Sequence, residues 1–210
     1  MPEWGGKSVA AVVIASRNSH KVSELRQLLA GLDIEVYSLH EFPGAPEVVE
    51  DGDTFADNAL KKARSVSQYA KLAVIADDSG LEVDYLQGQP GVRSARFAGE
   101  SASDRENNEK LLELMQGVPA RLRTACFRCT IALVSPTGLT EVVDGVCHGR
   151  ILTEPKGTGG FGYDPLFLVP ELGKTFAELS NEEKNAISHR GRALRATLPI
   201  MARWMQEGLL

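Results

Sequence analysis

Two neighbouring carboxylates, Asp77 and Asp78, close the apolar run Ala73-Val74-Ile75-Ala76 and lead straight into Ser79-Gly80. Ending a buried strand in two acids is costly unless a cation or hydrogen-bond donors meet them. The carboxyl ends of strands are also where α/β sheets place their ligands. Adjacent strand residues face opposite ways, so the two acids are expected to differ in role, one anchoring the loop and one entering a cleft.

Three further constellations share this character. In Ala15-Ser16-Arg17-Asn18-Ser19-His20-Lys21 an apolar strand hands over to a helical pattern. Backbone amides at a helix start, polar side chains and a Lys suit a phosphate group. The spacing is not that of a P-loop, and capping by Ser or Asn is the plain structural alternative. Gly157-Thr158-Gly159-Gly160-Phe161-Gly162-Tyr163-Asp164-Pro165 allows close backbone approach to a ligand, with Phe161 and Tyr163 offering flat faces for a base. A hairpin loop with two core aromatics would also produce it. Lys184-Asn185-Ala186-Ile187-Ser188-His189-Arg190-Gly191 gathers two cations and an imidazole. Lys184 and Arg190 do not share a helical face, so they serve one ligand only through a turn between them or through long reach.

Charge is segregated along the chain. Residues 41–60 carry Glu41, Glu47, Glu50, Asp51, Asp53 and Asp57 without a Lys or Arg, whereas 184–206 carry Lys184, Arg190, Arg192, Arg195 and Arg203 without an acid. Such a division suits a hard metal ion beside a polyanion, the acids holding the cation and the bases the phosphate oxygens. Helix-end charge preferences are the simpler alternative.

The elements that must position these groups alternate strand and helix, the mark of an α/β protein. The pattern predicts strands over 9–15, 34–39 and 73–76, then one through Leu81, Val83 and Tyr85. A helix is expected on the face Phe55, Ala59, Ala63, Val66 and Ala70, capped by Asp53 or Thr54, and another near 107–116. Residues 123–134 and 139–152 flank a Pro136-Thr137-Gly138 turn as an antiparallel hairpin, so the sheet is expected to be mixed. A last helix carries Ile187, Leu194, Leu198, Met201 and Met205, with Pro199 expected to kink or break it. No repeat or linker interrupts the chain, and 1–210 is expected to be one folding unit, with two lobes possible.

At 210 residues, 43% apolar and 24% charged, the chain excludes disorder, and its net charge of −5 argues against coating nucleic acid or an acidic membrane. Its longest apolar run, Val9–Ala15, is far short of the about 20 residues that span a bilayer. The acidic leader before it argues against a signal peptide. Three cysteines, Cys126, Cys129 and Cys147, fit a reducing, cytoplasmic setting. Cys126 and Cys129 fall an odd number apart in a strand pattern and are expected to pack on opposite faces rather than hold zinc.

The segments S-R-N-S-H-K, E-D-G-D-T-F-A-D-N-A, A-D-D-S-G, G-T-G-G-F-G-Y-D-P and S-H-R-G, in this order, resemble the inosine/xanthosine triphosphate pyrophosphatases, from about Val9 to Leu198. The resemblance implies an α/β fold with a twisted mixed sheet flanked by helices, two lobes with a nucleotide cleft between them, and a homodimer. It implies hydrolysis of deaminated purine nucleoside triphosphates (ITP, dITP, XTP) to the monophosphate and pyrophosphate. It further implies Mg²⁺ held by Glu50 and Asp78, Asp78 as proton acceptor, and triphosphate contacts from Ser16, Arg17, Asn18, Ser19, His20 and Lys21. Ser79, Phe161, Gly162, Tyr163, Asp164, Lys184, His189 and Arg190 complete the implied substrate contacts. Many relatives carry T-G-N where this chain has Ser16-Arg17-Asn18, so Arg17 adds bulk and charge at that loop.

A triphosphate repels an attacking hydroxide, so its charge must be neutralised and water aligned with the scissile bond. Attack at the α-phosphorus is expected, with the leaving pyrophosphate stabilised by Lys21, Lys184 and Arg190. Donors aimed at a 6-oxo group, from backbone amides with His189 or Arg190, would reject adenine, with Phe161 or Tyr163 against the ring. A sister enzyme for modified or pyrimidine triphosphates and a non-catalytic nucleotide-binding module are the alternative readings.

Overall fold

A computed structural model describes residues 10–210 of the chain, so Val9 and the leader before it lie outside the described residues. The apolar run after it forms β1 (Ala11–Ile14), every residue of which is buried. Helix α1 (Ser19–Leu29) follows, then β2 (Glu35–Ser38). The alanine-rich face predicted next is α2 (Phe55–Ala70), and its cap is Thr54, whose side chain accepts from the Asp57 amide.

The sheet is open and mixed, in the order β2-β1-β3-β4-β5-β6-β7. β1 pairs in parallel with β2 and with β3 (Ala73–Val83), and the remaining pairings are antiparallel. The expected hairpin is β4 (Thr124–Val134) with β5 (Thr140–Ile151), in register from Thr124↔Arg150 to Val134↔Thr140. Short strands β6 (Phe167–Val169) and β7 (Lys174–Thr175) extend the edge.

Two expectations are corrected. The strand predicted over 73–76 does not end at the carboxylates, because β3 continues through Asp77-Asp78-Ser79-Gly80 to Val83 and Tyr85 falls in a 3₁₀ turn beyond it. What ends is the partner: β1 pairs with β3 only to Ile14↔Ile75, whereas β4 follows β3 all the way to Val83↔Ala125. The two acids therefore sit beyond the carboxyl end of the parallel pair, on a strand still held from the other side. The last helix is not broken at Pro199; it is divided at Ser188, between α4 (Asn181–Ile187) and α5 (His189–Gln206). Ser188 has extended backbone, and its hydroxyl caps α5 by accepting from the Gly191 amide at 3.1 Å. Ile187 thus belongs to α4, and Pro199 lies inside α5, which runs on past it.

Burial organises three apolar clusters. One face of the sheet packs Val12, Ile14, Ile75 and Leu133 against Leu25 and Leu29 of α1 and Leu194, Met201 and Trp204 of α5. The other face packs Val13, Val74 and Ala132 against Ala59, Ala63 and Val66 of α2. The far end of the long strands forms a third cluster, with Leu81, Phe127, Phe167 and Phe176 meeting Leu111 of α3 (Asp104–Leu114). Glycine lets one approach be close: a Cβ on Gly145 of β5 would run into the His189 carbonyl and the Ala193 amide, so α5 lies almost on the strand. Among the described residues, no helix is long and apolar enough to cross a membrane.

Candidate active site

β3 splits the site between the two faces of the sheet. Asp77 turns toward α1 and α5, where Lys21 Nζ lies 2.9 Å and Arg190 Nε 3.5 Å from its Oδ2. Asp78 turns the other way, and its Oδ2 accepts from the amide of Asn58 on α2 at 2.9 Å. The expected division of labour holds in altered form: Asp77 anchors two helices rather than a loop, and Asp78 lines the cleft. Burial opposes ionisation of Asp77, yet Lys21, Arg190 and Lys62 overcome it and hold the carboxyl far below the usual carboxylate range. For Asp78, burial and then the Glu50 carboxylate raise the pKa, against the Asn58 hydrogen bond.

The break at Ser188 solves the problem of Lys184 and Arg190. Lys184 on α4 is 2.7 Å from Asp164 Oδ2 and 3.2 Å from Glu24 Oε1, while Arg190 Nη1 meets Glu24 Oε2 at 2.5 Å. Both cations are almost fully buried and open on the same cleft. Arg190 also donates to Ser79 Oγ at 3.0 Å, and that hydroxyl donates to Asp77 at 3.1 Å.

The glycine-rich segment closes one side. Asp164 accepts the Phe161 amide at 2.9 Å, and α3 grips Gly162 from both sides, Asp104 accepting its N–H at 2.6 Å and Asn108 donating to its carbonyl at 2.8 Å. Phe161 stacks on His20 with centroids 5.5 Å apart, and Lys184 Nζ lies 4.8 Å from its ring centre. Tyr163 is instead spoken for: it is buried and donates its hydroxyl to the Ser94 carbonyl at 2.8 Å. His189 is buried flat against Phe127, with centroids 4.7 Å apart, and its Nδ1 has no partner among the described residues. Burial, then the charges of Arg190 and Lys184, lower its pKa well below the ordinary value, so the ring is neutral at pH 7.

Of the residues singled out in the sequence, Asn18, Lys21, Glu50, Asp78, Ser79, Phe161, Gly162, Tyr163, Asp164, Lys184, His189 and Arg190 line one cleft. Ser16, Arg17, Ser19 and His20 do not line it. Arg17 points to the Ala45 carbonyl at 3.3 Å, Ser16 Oγ accepts the Asn18 amide, and His20 reaches the site only through Phe161. The amides expected to await phosphate at the start of α1 are partly engaged, since Asn18 Oδ1 accepts from both His20 and Lys21. Cys126 and Cys129 lie on opposite faces of β4 as free thiols, each pushed up to about 12 by burial.

The Ham1 family profile matches residues 12–200. The chain belongs to the Ham1 family. It is 56% identical over 192 residues to a protein of Desulforamulus reducens named dITP/XTP pyrophosphatase, a match spanning 91% of this chain and 96% of that protein. A protein of the same name from Geobacter sulfurreducens is 57% identical over 183 residues, 87% of this chain and 92% of its own length. Among solved structures, a HAM1 protein from Coxiella burnetii superposes with a TM-score of 0.85 at 42% identity, covering 92% of this chain and 99% of that one. The Staphylococcus aureus Ham1 protein gives 0.82 at 41%, covering 91% and 98%.

This Ham1 chain also brings to the site residues that the sequence did not single out. Glu24 bridges Lys184 and Arg190 from α1, where its spacing reads as a solvent-facing position. Lys62 of α2 pairs with Glu50, and Asn58 of the same helix ties Asp78 to the Gly52 amide, which it accepts at 2.8 Å. Asn58 lies within the E-D-G-D-T-F-A-D-N-A segment, three residues after Phe55 on the alanine-rich face, and the structure buries it completely. Among the described residues, no three His, Cys, Asp or Glu side chains are grouped so as to hold a metal by themselves.

Proposed function

We propose that this chain hydrolyses deaminated purine nucleoside triphosphates, dITP, XTP and ITP, to the monophosphate and pyrophosphate. The names carried by its relatives support this reading. The observation that carries it is that one cleft has an acid wall with Glu50 and Asp78 and a basic wall with Lys21, Lys184 and Arg190.

The donor set fits Mg²⁺, which takes one or two carboxylates together with phosphate oxygens and water. Glu50 and Asp78 would hold it, and burial followed by the Glu50 carboxylate, which together raise the Asp78 pKa, are what a bound cation would offset. When bound, the ion supplies charge neutralisation on the polyphosphate. Asp78 takes a proton from the attacking water, its orientation fixed by Asn58 and by the Ser79 amide, which donates to its Oδ1 at 2.9 Å. Lys21, Lys184 and Arg190 bind the oxygens of the departing pyrophosphate. Neutral His189, with Nδ1 unpartnered, offers a donor to the 6-oxo group, which an adenine amine would leave unpaired. Of the two aromatics Phe161 would meet the base, exchanging its stack on His20 for it, since the Tyr163 hydroxyl is anchored elsewhere.

A single unit over 1–210 belongs to the same reading, supported by a sheet that runs unbroken from β2 to β7. A homodimer and a cytoplasmic setting rest on the family resemblance and the cysteine content. The test is to incubate the chain with Mg²⁺ and, separately, ITP, dITP, XTP, GTP, ATP and dTTP, and to identify the first phosphorus product. Pyrophosphate from the three deaminated purines, well ahead of GTP and ATP, is expected. Orthophosphate as first product would mean a phosphatase, preference for dTTP a pyrimidine enzyme, and binding without turnover a nucleotide-binding module.

A further inference from the structure

The other cations lining the cleft are already matched by carboxylates: Lys21 by Asp77, Lys184 by Asp164 and Glu24, and Arg190 by Asp77 and Glu24. Arg96 is different. It lines the same cleft, on the acid wall, and its nearest carboxylate partner is Glu100 at 3.9 Å. The Glu100 side chain is 76% exposed and also meets Arg93 at 3.3 Å, so it screens Arg96 weakly. Among the described residues, the one close hydrogen bond of the Arg96 guanidinium is from Nη2 to the Glu50 carbonyl, at 2.7 Å. That acceptor carries no net charge and, among the described residues, leaves the other edge of the fork without a hydrogen-bond partner.

The backbone around Arg96 is held from several elements. Ser94 Oγ accepts the Leu81 amide of β3 at 2.9 Å and donates to the Gly91 carbonyl at 2.7 Å. Asn107 of α3, almost fully buried, donates to the Ala95 carbonyl at 3.1 Å and accepts the Ala98 amide at 2.8 Å. Gly80 makes the seat possible, because a Cβ there would strike the Gly91 carbonyl and Ser94 Oγ. A guanidinium on so fixed a support, beside the carboxylates and short of a counter-charge, is preorganised for an anion.

Resting on the reading above, we propose that Arg96 is a further substrate-binding residue, whose guanidinium takes phosphate oxygens of the pyrophosphate half of the triphosphate. Its tether to the Glu50 carbonyl keeps it with the acids that would hold a metal on the polyphosphate, not with His189 and Phe161, which would meet the base. A planar fork suits two phosphate oxygens at once, which a Lys would meet only as a point charge.

The test compares wild type with Arg96→Met and Arg96→Lys in three measurements: inhibition of dITP hydrolysis by inorganic pyrophosphate, inhibition by inosine monophosphate, and the Mg²⁺ concentration giving half the maximal rate. Calorimetric titration of pyrophosphate onto each protein repeats the first without turnover. Loss of a charge-assisted contact predicts pyrophosphate affinity about tenfold to a hundredfold weaker in Arg96→Met, with inosine monophosphate changed by less than about twofold. Arg96→Lys, which keeps the charge, is expected in between and carries the comparison if the Met variant melts early. Unchanged pyrophosphate affinity would overturn the proposal. So would a shifted Mg²⁺ midpoint with pyrophosphate affinity unaltered, which would reduce Arg96 to a strut for Glu50. A wild-type chain inert toward dITP would overturn the function itself, an outcome distinct from either.

Discussion

Asn58 grips Asp78 from inside the fold: its amide donates to the carboxylate at 2.9 Å while its own oxygen takes the Gly52 amide. One fully buried side chain thereby fixes both the acid on β3 and the loop that brings Glu50. Asn58→Ala is expected to lower kcat by about 10²-fold through misplacement of the acid. Steady-state kinetics with dITP, alongside a thermal melt, check it. Asn58→Asp should be worse, since it sets a third carboxylate beside two that already repel.

Asp78→Asn keeps the shape and one of the two oxygens that accept from Asn58 and Ser79, but removes the proton acceptor. Turnover should fall by about 10²–10⁴-fold with the circular dichroism spectrum unchanged. Near-wild-type rates would take Asp78 out of the mechanism.

Stability should depend on pH through His189. Its pKa lies well below the ordinary 6.5 in the folded chain, so as pH falls through 6.5 the unfolded chain takes up a proton that the folded chain does not. Stability is therefore complete above 6.5 and declines below it, with a limiting slope of about 1.4 kcal/mol per pH unit. Denaturant titrations between pH 7.5 and 5 should show this slope in wild type and a shallower one in His189→Phe, which keeps the stack on Phe127 and Phe176.

Gly145→Ala places a methyl group against the first turn of α5, the turn that carries His189 and Arg190. Overpacking of this kind costs about 1–3 kcal/mol, and here the displaced backbone belongs to the site. A lowered melting temperature together with a raised KM for dITP is expected, and an unchanged KM would show that α5 can shift without disturbing the cleft.

Much of this was legible in the chain. The β1 pattern, the α2 face and the β4–β5 hairpin follow from local periodicity and turn chemistry, which neighbouring residues decide among themselves. The run Asp77-Asp78-Ser79-Gly80 reads as a strand end because polar residues usually close a strand; in the fold β4 continues alongside, and cations from α1 and α5 make the buried acid tolerable. Ser188 looked like an interior helix residue, yet its cap on Gly191 starts a second helix. Glu24, Asn58 and Arg96 could not be ranked from sequence, since their importance comes from partners such as Lys184, Asp78 and Glu50 that only folding brings within reach.

The pairing of Lys21, Lys184 and Arg190 with buried acids has a consequence for what can settle in the cleft at rest. Electrically, the basic wall is nearly silent until something disturbs those pairs. A stray orthophosphate ion or an end of nucleic acid meets little long-range pull there. A visitor that arrives with its own positive companion can settle the account with Glu50 and Asp78 while it exchanges partners with the bases. Apart from Arg96, the empty cleft thus holds little pull on a bare anion before any nucleobase is inspected.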